Sequence, residues 1–268
     1  MKISYEARFV PYKACSQAGK GTALVFAPHS DDEVIGCGGT IIKHVDNNEP
    51  VHVVIVTDGR LGDPGLANKI RQGTGSETEV KNYILTRQEE SRKAGDILGY
   101  GKPLFWEIPD RELACDEKLV KKVIGAINQF KPNAVYSPSI YEMHPDHRTL
   151  AMIVLESIRR LEIKPDLFMY EIGRPMPSPD ILVDITGQWD KKLAAIRCFE
   201  SQLNVCPFHE YTFSLNRFRT FTLPADVKMA EAYLVIRSHD FNNRIKDILM
   251  DELRDREKEQ TGKSNVQG

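Results

Sequence analysis

The sequence has no excess of basic residues, no paired cysteine motif and no long apolar run. Lysines and arginines number 36 against 38 acidic residues, so bulk charge gives no reason to expect nucleic acid or an anionic membrane as the main partner. The five cysteines include no CxxC pair, which argues against a disulfide framework or a zinc ribbon and predicts a reducing compartment. No stretch approaches the roughly 18 apolar residues of a membrane span, and residues 1–20 contain no run of signal-peptide length. Together these absences predict a cytoplasmic protein.

The chain does contain an alternation of short apolar runs and helical patterns. Strands are predicted over 22–27, 51–56, 103–108, 133–136, 167–172 and 181–185, with a last ordered element over 230–237. Helices are predicted over 34–45, 77–98, 117–130, 149–161, 188–202 and 245–253, and a surface loop over 61–76. This order is typical of an α/β protein with a doubly wound, mostly parallel sheet and helices on both faces. We predict one domain over 1–253 and a charged, disordered tail over 254–268.

Polar residues follow four of the predicted strands. The four clusters are His29 to Glu33, Asp58 to Arg60, Asp110-Arg111, and His144 to Arg148. Because the carboxyl ends of parallel strands lie along one edge of a sheet, these clusters are expected to meet in one crevice. The HxDD and HPDH patterns together supply three good metal ligands and spare acid or base groups. This count matches a catalytic zinc site, whereas a structural site would use four ligands, usually cysteines.

Hydrolysis of an amide at such a site needs a base for the water and a group that stabilises the oxyanion. Asp31 lies beside a candidate ligand and is the candidate base. One of His144 and His147 can bind the metal while the other stabilises the oxyanion or protonates the leaving amine. Asp146 is expected to orient that second histidine, or else to cap the helix predicted to begin at Thr149.

Two further features have a structural and a functional interpretation. Arg87 lies on the apolar face of the 77–98 helix, so it needs either an ion pair with Glu90 or a site to point into. The segment 208–221 is rich in aromatic and basic residues. Without a net positive charge, we interpret it as packing plus a substrate contact or a contact in a homo-oligomer, rather than as a nucleic-acid surface.

Two sequence motifs carry a specific resemblance. Ala27-Pro28-His29-Ser30-Asp31-Asp32-Glu33 with Gly38-Gly39-Thr40-Ile41, and His144-Pro145-Asp146-His147-Arg148, resemble the two motifs of the LmbE-like, PIG-L de-N-acetylase family. Weaker similarities are Thr57-Asp58-Gly59, Arg87-Gln88-Glu89-Glu90, Pro109-Asp110 and Val183-Asp184-Ile185-Thr186. The resemblance covers roughly residues 20–237. Its one notable departure is Ser30, where proline is commoner in the family.

The resemblance implies a Rossmann-like fold and a zinc-dependent hydrolase that removes the acetyl group from a GlcNAc-type amino sugar. Iron or another divalent metal could replace zinc. It implies that the metal ligands are His29, Asp32 and His147, the general base Asp31, the electrostatic or acid partner His144, and the sugar-pocket residues Arg87 and Asp110. An amidase acting on a thiol-sugar conjugate would use the same centre. A non-catalytic Rossmann-like sugar or nucleotide module is the other alternative, but no GxGxxG motif follows the first strand.

Overall fold

The structure is a computed structural model that describes residues 14–248. Within these residues, eight strands form one sheet in the order β1-β7-β8-β6-β5-β2-β3-β4. The strands are β1 Ala14–Cys15, β2 Ala23–Ala27, β3 Val51–Thr57, β4 Leu104–Ile108, β5 Ala134–Pro138, β6 Asp166–Tyr170, β7 Ile181–Asp184 and β8 Ala230–Ile236. Strand β8 runs antiparallel to both β6 and β7, and all other neighbouring strands are parallel.

Helices connect most of these strands. They are α1 Asp32–Asp46, α2 Pro64–Arg71, α3 Glu77–Leu98, α4 Glu117–Phe130, α5 Pro145–Arg159, α6 Trp189–Ile196, α7 Glu200–Leu203 and α8 Phe208–Phe218. Short 3-10 turns span Thr186–Gln188 and Ser238–Asp240, and residues 241–248 are helical. No helix within 14–248 is both long and apolar enough to cross a membrane.

Strand β2 shows how the sheet separates two hydrophobic cores. Its Ala23, Val25 and Ala27 side chains face the core covered by α1, α3 and α6. Its Leu24 and Phe26 side chains face the opposite core, which α4 and α5 cover. All five residues are fully buried, as expected for a central strand covered on both faces. The predicted α/β class, with a mostly parallel sheet and helices on both faces, is confirmed.

Three predicted elements differ from the structure. The loop predicted over 61–76 contains α2, because Asp63 caps the helix by accepting the Leu66 N–H at 2.6 Å and Pro64 takes its first position. The helix predicted from Thr149 begins instead at Pro145. The helix predicted over 188–202 is divided into α6 and α7. The predicted tail, 254–268, lies outside the described residues, and the single domain over 1–253 stays a prediction.

Helix α1 is kinked at Cys37, and its first turn lies just after the carboxyl end of β2. Cys37 has non-helical backbone angles (φ −140°, ψ 21°), which mark the kink between the two halves of the helix. The fully buried Lys192 of α6 donates to the Ile35 carbonyl at 2.8 Å on one side of the kink. On the other side, the Glu231 carboxylate of β8 accepts the backbone N–H of Gly39 at 2.7 Å. Lys192 and Glu231 also pair with each other at 2.8 Å, so one buried ion pair joins the two halves of the helix.

Candidate active site

A cavity of about 510 Å³ lies at the carboxyl ends of β2 through β6. Its lining comprises His29, Asp31, Asp32, Ile35, Gly59, Leu61, Gly62, Arg87, Asp110, Arg111, Glu142, Met143, His144, Pro145, His147, Ile172, Gly173, Gln202 and Phe208. All the predicted site residues line this cavity except Asp146, which is fully buried beside His29. This is the edge at which open α/β sheets bind ligands.

Three of the lining side chains direct donor atoms at one another. Asp32 Oδ2 lies 3.1 Å from His29 Nδ1 and 3.2 Å from His147 Nε2, and those two nitrogens lie 3.3 Å apart. Tetrahedral zinc with bonds of about 2.0–2.1 Å would hold its ligand atoms about 3.3 Å apart. The donor set of two imidazoles and one carboxylate is also one that catalytic zinc uses. The residues therefore fit a metal ion in both chemistry and spacing.

The charges in this triangle reinforce one another. Burial alone would raise the pKa of Asp32, but His147 and His29 lower it well below its usual range. Burial alone would lower the pKa of His147, but the Asp32 carboxylate and Glu142 raise it to about 9. Asp32 is therefore a carboxylate at neutral pH and is available as an anionic ligand.

Each of the two histidines has a carboxylate near its remaining ring nitrogen. For His29, Nε2 lies 3.3 Å from Asp110 Oδ1 and 3.5 Å from Asp146 Oδ2. For His147, Nδ1 lies 3.4 Å from Glu142 Oε2. Metal-binding histidines are commonly oriented by such a carboxylate, which fixes the tautomer and leaves the other nitrogen free for the ion. The surrounding carboxylates thus support the same metal site.

Glu142 is a residue of the candidate site that the sequence motifs did not predict. Besides facing His147, its buried carboxylate accepts the backbone N–H of Ile172 at 2.7 Å and of Gly173 at 3.1 Å. It therefore joins a candidate ligand to the cavity wall that follows β6. Its position two residues before the second motif, in a polar segment after a strand, was a usable signal.

Asp146 has different neighbours from those predicted. Its carboxylate accepts the Arg111 N–H at 2.8 Å and lies against His29 rather than orienting His144. Its backbone N–H donates to His144 Nδ1 at 3.2 Å, which makes His144 the N-cap of α5. Asp146 also does not cap a helix at Thr149, because α5 begins at Pro145.

His144 lines the cavity beside the triangle. Its ring centroid lies 4.8 Å from that of His29 and 5.0 Å from that of His147. Burial and these two histidines lower its pKa, which favours the neutral ring. Because Nδ1 accepts a hydrogen bond, the proton of the neutral ring is on Nε2. His144 therefore supplies an N–H donor within the cavity.

Asp31 lies next to the triangle in a strained backbone conformation. Its φ of 129° is rare for a residue with a side chain, and such strain concentrates at functional sites. The backbone N–H of Asp31 donates to Glu33 Oε2 at 3.1 Å, and the other oxygen of Glu33 accepts from Ser91 and Tyr100. Burial raises the pKa of Asp31 to about 7, although Arg87 opposes the shift. The carboxylate is thus held beside the candidate ligands without being one of the three.

Arg87 holds this turn from the other side. It is almost fully buried, and its Nη2 donates to the Ser30 carbonyl and to Asp31 Oδ2, the latter at 3.2 Å. Glu90 accepts instead from Ser201, at 2.7 Å from the backbone N–H and 2.6 Å from the hydroxyl. Of the two interpretations of Arg87, the structure therefore places it in the site.

Comparison with known proteins adds three similarities. Residues 24–158 match the sequence model of the GlcNAc-PI de-N-acetylase (PIG-L) family. Over 194 residues the chain is 30% identical to a diacetylchitobiose deacetylase of Thermococcus kodakarensis, a match that covers 67% of this chain and 69% of the relative. Over 203 residues it is 29% identical to a 4-oxalmesaconate hydratase of Pseudomonas putida, covering 70% of this chain and 76% of the relative.

A solved structure supports the same fold. The N,N'-diacetylchitobiose deacetylase of Pyrococcus horikoshii superposes with a TM-score of 0.71 at 22% identity. The superposition covers 90% of this chain and 96% of that one. At this level of identity the likeness concerns the architecture alone.

Proposed function

The chain belongs to the GlcNAc-PI de-N-acetylase (PIG-L) family, and from this premise we propose that it is a metal-dependent N-deacetylase. Its proposed substrate is a small N-acetylated amino sugar of the GlcNAc type, which it hydrolyses to acetate and a free amine. The observation that carries the proposal is the triangle of His29, Asp32 and His147 donor atoms with the carboxylate of Asp31 in the same cavity.

The proposed ligands are His29, Asp32 and His147, and the proposed metal is zinc. Two histidines and one carboxylate also suit non-haem iron(II), so the same three ligands fit either zinc or iron(II). When bound there, the metal would supply a Lewis acid for the amide carbonyl and lower the pKa of a water molecule. Asp110 and Asp146 would hold His29, and Glu142 would hold His147, in the orientation that the ion requires.

Asp31 is the proposed general base. It takes a proton from the water as the water oxygen adds to the amide carbon. Arg87 and the strained turn keep its carboxylate in the cavity without placing it among the ligands. When the C–N bond breaks, the protonated Asp31 gives this proton to the departing nitrogen. The second proton of the water also passes to the amine as the new acid ionises, so the products are acetate and the protonated amine.

The proposed role of His144 is to stabilise the oxyanion through the proton on Nε2. A neutral imidazole suffices for this role because the hydrogen bond, not a full charge, is directed at the oxygen. Arg87 and Asp110 stay proposed sugar-pocket residues, and both line the cavity. The proposed location is the cytoplasm.

A hydratase is the second candidate function, because the Pseudomonas putida relative bears that name at similar identity. The carboxylates of Asp31, Asp32, Asp110 and Glu142 in the lining are balanced by two arginines, three histidines and the ion that the triangle would hold, so the charge of the cavity suits either substrate. The deacetylase is preferred because the matching family model is that of a de-N-acetylase and the Thermococcus kodakarensis relative is a deacetylase.

A panel of N-acetyl sugars, assayed for released acetate with and without a chelator, tests the proposal. The expected result is acetate release that the chelator abolishes and added zinc or iron(II) restores. A thiol-sugar conjugate included in the panel distinguishes the deacetylase from the related amidase. Metal-free protein that binds sugars without turnover would instead support the binding module, and water addition to an unsaturated acid without acetate release would support the hydratase.

A further inference from the structure

A second cavity, of about 430 Å³, opens beside the catalytic cavity. The two share four wall residues, namely Ile35, Ile172, Gly173 and Phe208. Ile35 lies on the first turn of α1, one helical turn from the proposed ligand Asp32. The second cavity is thus continuous with the site and begins close to where the scissile amide would lie. We call it the apolar annex.

One face of α8 forms the far wall of the annex. Phe208, Tyr211, Leu215 and Phe218 recur at helical spacing and all line it. Tyr211 and Phe218 are 61% and 62% exposed, and with Phe208 and Leu215 they form a contiguous apolar surface, which is typical of a binding site. Three of the aromatic residues of segment 208–221, namely Phe208, Tyr211 and Phe218, therefore face the annex, and the proposed catalytic chemistry does not use them.

The annex offers few groups to a polar ligand. None of its lining residues is charged. Its side-chain polar groups are two hydroxyls, those of Tyr211 and Thr212, and the Thr212 hydroxyl already donates to the Phe208 carbonyl at 2.7 Å. A second sugar, a nucleotide or an organic acid buried there would leave hydroxyl groups or charges without partners, which is costly. An apolar or aromatic group would instead gain the burial of its surface.

Resting on the proposed N-deacetylase function, we propose that the substrate is a GlcNAc-type glycoside with an apolar aglycone and that the annex binds this aglycone. The acyl side of the substrate is not the occupant, because the reaction removes an acetyl group whose single methyl would leave the annex empty. The sugar ring would lie in the polar cavity and its apolar substituent along α8. The annex would thus determine the specificity of the enzyme for the aglycone.

The test compares methyl and hexyl N-acetyl-β-glucosaminides as substrates of the metal-loaded, full-length enzyme. Each buried methylene is worth about fourfold in affinity, so burial of three or four carbons predicts about a 100-fold higher kcat/KM for the hexyl glycoside. The gain should come through KM, because the contact is equal in ground and transition states. The double variant Tyr211→Ser/Phe218→Ser should reduce the hexyl-to-methyl ratio to about 10 or less.

Phe221→Ser is the matched control, because Phe221 is 60% exposed close to α8 but does not line the annex. This control should retain the wild-type ratio. Equal kcat/KM for the two glycosides would overturn the proposal. So would a preference for a methyl glycoside bearing an N-hexanoyl group, or for diacetylchitobiose, over the hexyl glycoside. A wild-type dimer that the double variant dissociates in sedimentation, with an unchanged ratio, would assign the face to a second copy and also overturn it.

Binding of hexyl β-glucoside, measured by calorimetry, separates failure of this proposal from failure of the proposed function. This probe has no amide, so its binding does not depend on catalysis. If neither N-acetyl glycoside releases acetate, the deacetylase function fails. The annex is then judged by the probe alone, which should bind wild-type protein at least tenfold more tightly than the double variant. Equal binding to both proteins would refute the annex.

Discussion

Substitution of Asp31 by Asn removes the proposed base while changing little else. Asn matches Asp in size and is also tolerated at positive φ, so the turn with its φ of 129° can persist. The amide oxygen can still accept the hydrogen bond from Arg87, now 3.2 Å from the carboxylate. We expect kcat to fall by about 10² to 10⁴, the usual contribution of a general base.

The same geometry predicts the cost in stability. The Asn amide makes a weaker hydrogen bond to the buried Arg87, but it also removes a buried carboxylate whose pKa the fold raises to about 7. The two effects offset each other, so the free energy of unfolding should change by less than about 1 kcal/mol. Asp31→Ala would leave the guanidinium without its counter-charge and should cost about 3 kcal/mol or more. The Asn variant is therefore the cleaner test, and urea denaturation of both variants measures the difference.

Acetate release and elemental analysis of the same preparations complete the test. Because Asp31 is outside the ligand triangle, the Asn variant should hold as much metal as the wild type. A loss of metal in proportion to the loss of activity would show that Asp31 is a ligand. Retention of both metal and full kcat would refute its role as the base.

Four further substitutions, in three experiments, probe the supporting structure. Glu142→Gln should weaken metal binding by about 10- to 100-fold, because the carboxylate orients a ligand histidine, and unchanged affinity in calorimetry would contradict this. Lys192→Met should lower the free energy of unfolding by about 3–5 kcal/mol, since it leaves Glu231 buried without its cation. Adding Glu231→Gln should restore part of that loss in urea denaturation, whereas additive losses would show that the pair is not coupled. Burial lowers the pKa of His44, so the unfolded chain binds its proton more readily and the free energy of unfolding should fall as the pH drops through about 6.5. Urea denaturation at pH 8 and pH 5.5 measures this fall in the free energy of unfolding, which should be smaller for His44→Gln than for the wild type. An equal fall in both proteins would show that His44 is not its source.

The sequence predicted most accurately those elements whose ends carry local signals. Helices α3 and α4 have the predicted bounds. Ser76 and Glu79 form a capping box at the start of α3, Gly99 ends it in the left-handed conformation, and Asp116 caps α4. The family predicted from the two motifs is likewise confirmed by the match over 24–158.

Proline caused two of the errors. The sequence pattern predicts a loop at Pro64 and a turn at Pro145, yet each occupies the first position of a helix. There its missing N–H costs nothing and its fixed φ favours the helix. The residues before them, Asp63 and His144, accept the first free N–H groups, so the cap and the proline had to be interpreted together.

The sequence did not predict the contacts between residues far apart in the chain. The motifs predicted which side chains meet, and the sheet edge does bring them into one cavity. The hydrogen bonds that Asp146 accepts from Arg111 and Glu142 accepts from Ile172 depend on how the loops after different strands pack together. The kink of α1 depends on Glu231, which is 192 residues from its partner Gly39, and no local pattern reports such a contact.

The central claim is that His29, Asp32 and His147 would hold one metal ion and that release of acetate from an N-acetyl sugar requires it. Its most direct test is a zinc titration of metal-stripped protein while acetate release from a GlcNAc glycoside is measured. The account predicts no turnover without metal, a rise in proportion to zinc that ends at one ion per chain, and loss of both binding and turnover in His147→Ala. Full turnover by protein that elemental analysis shows to hold no metal would contradict it.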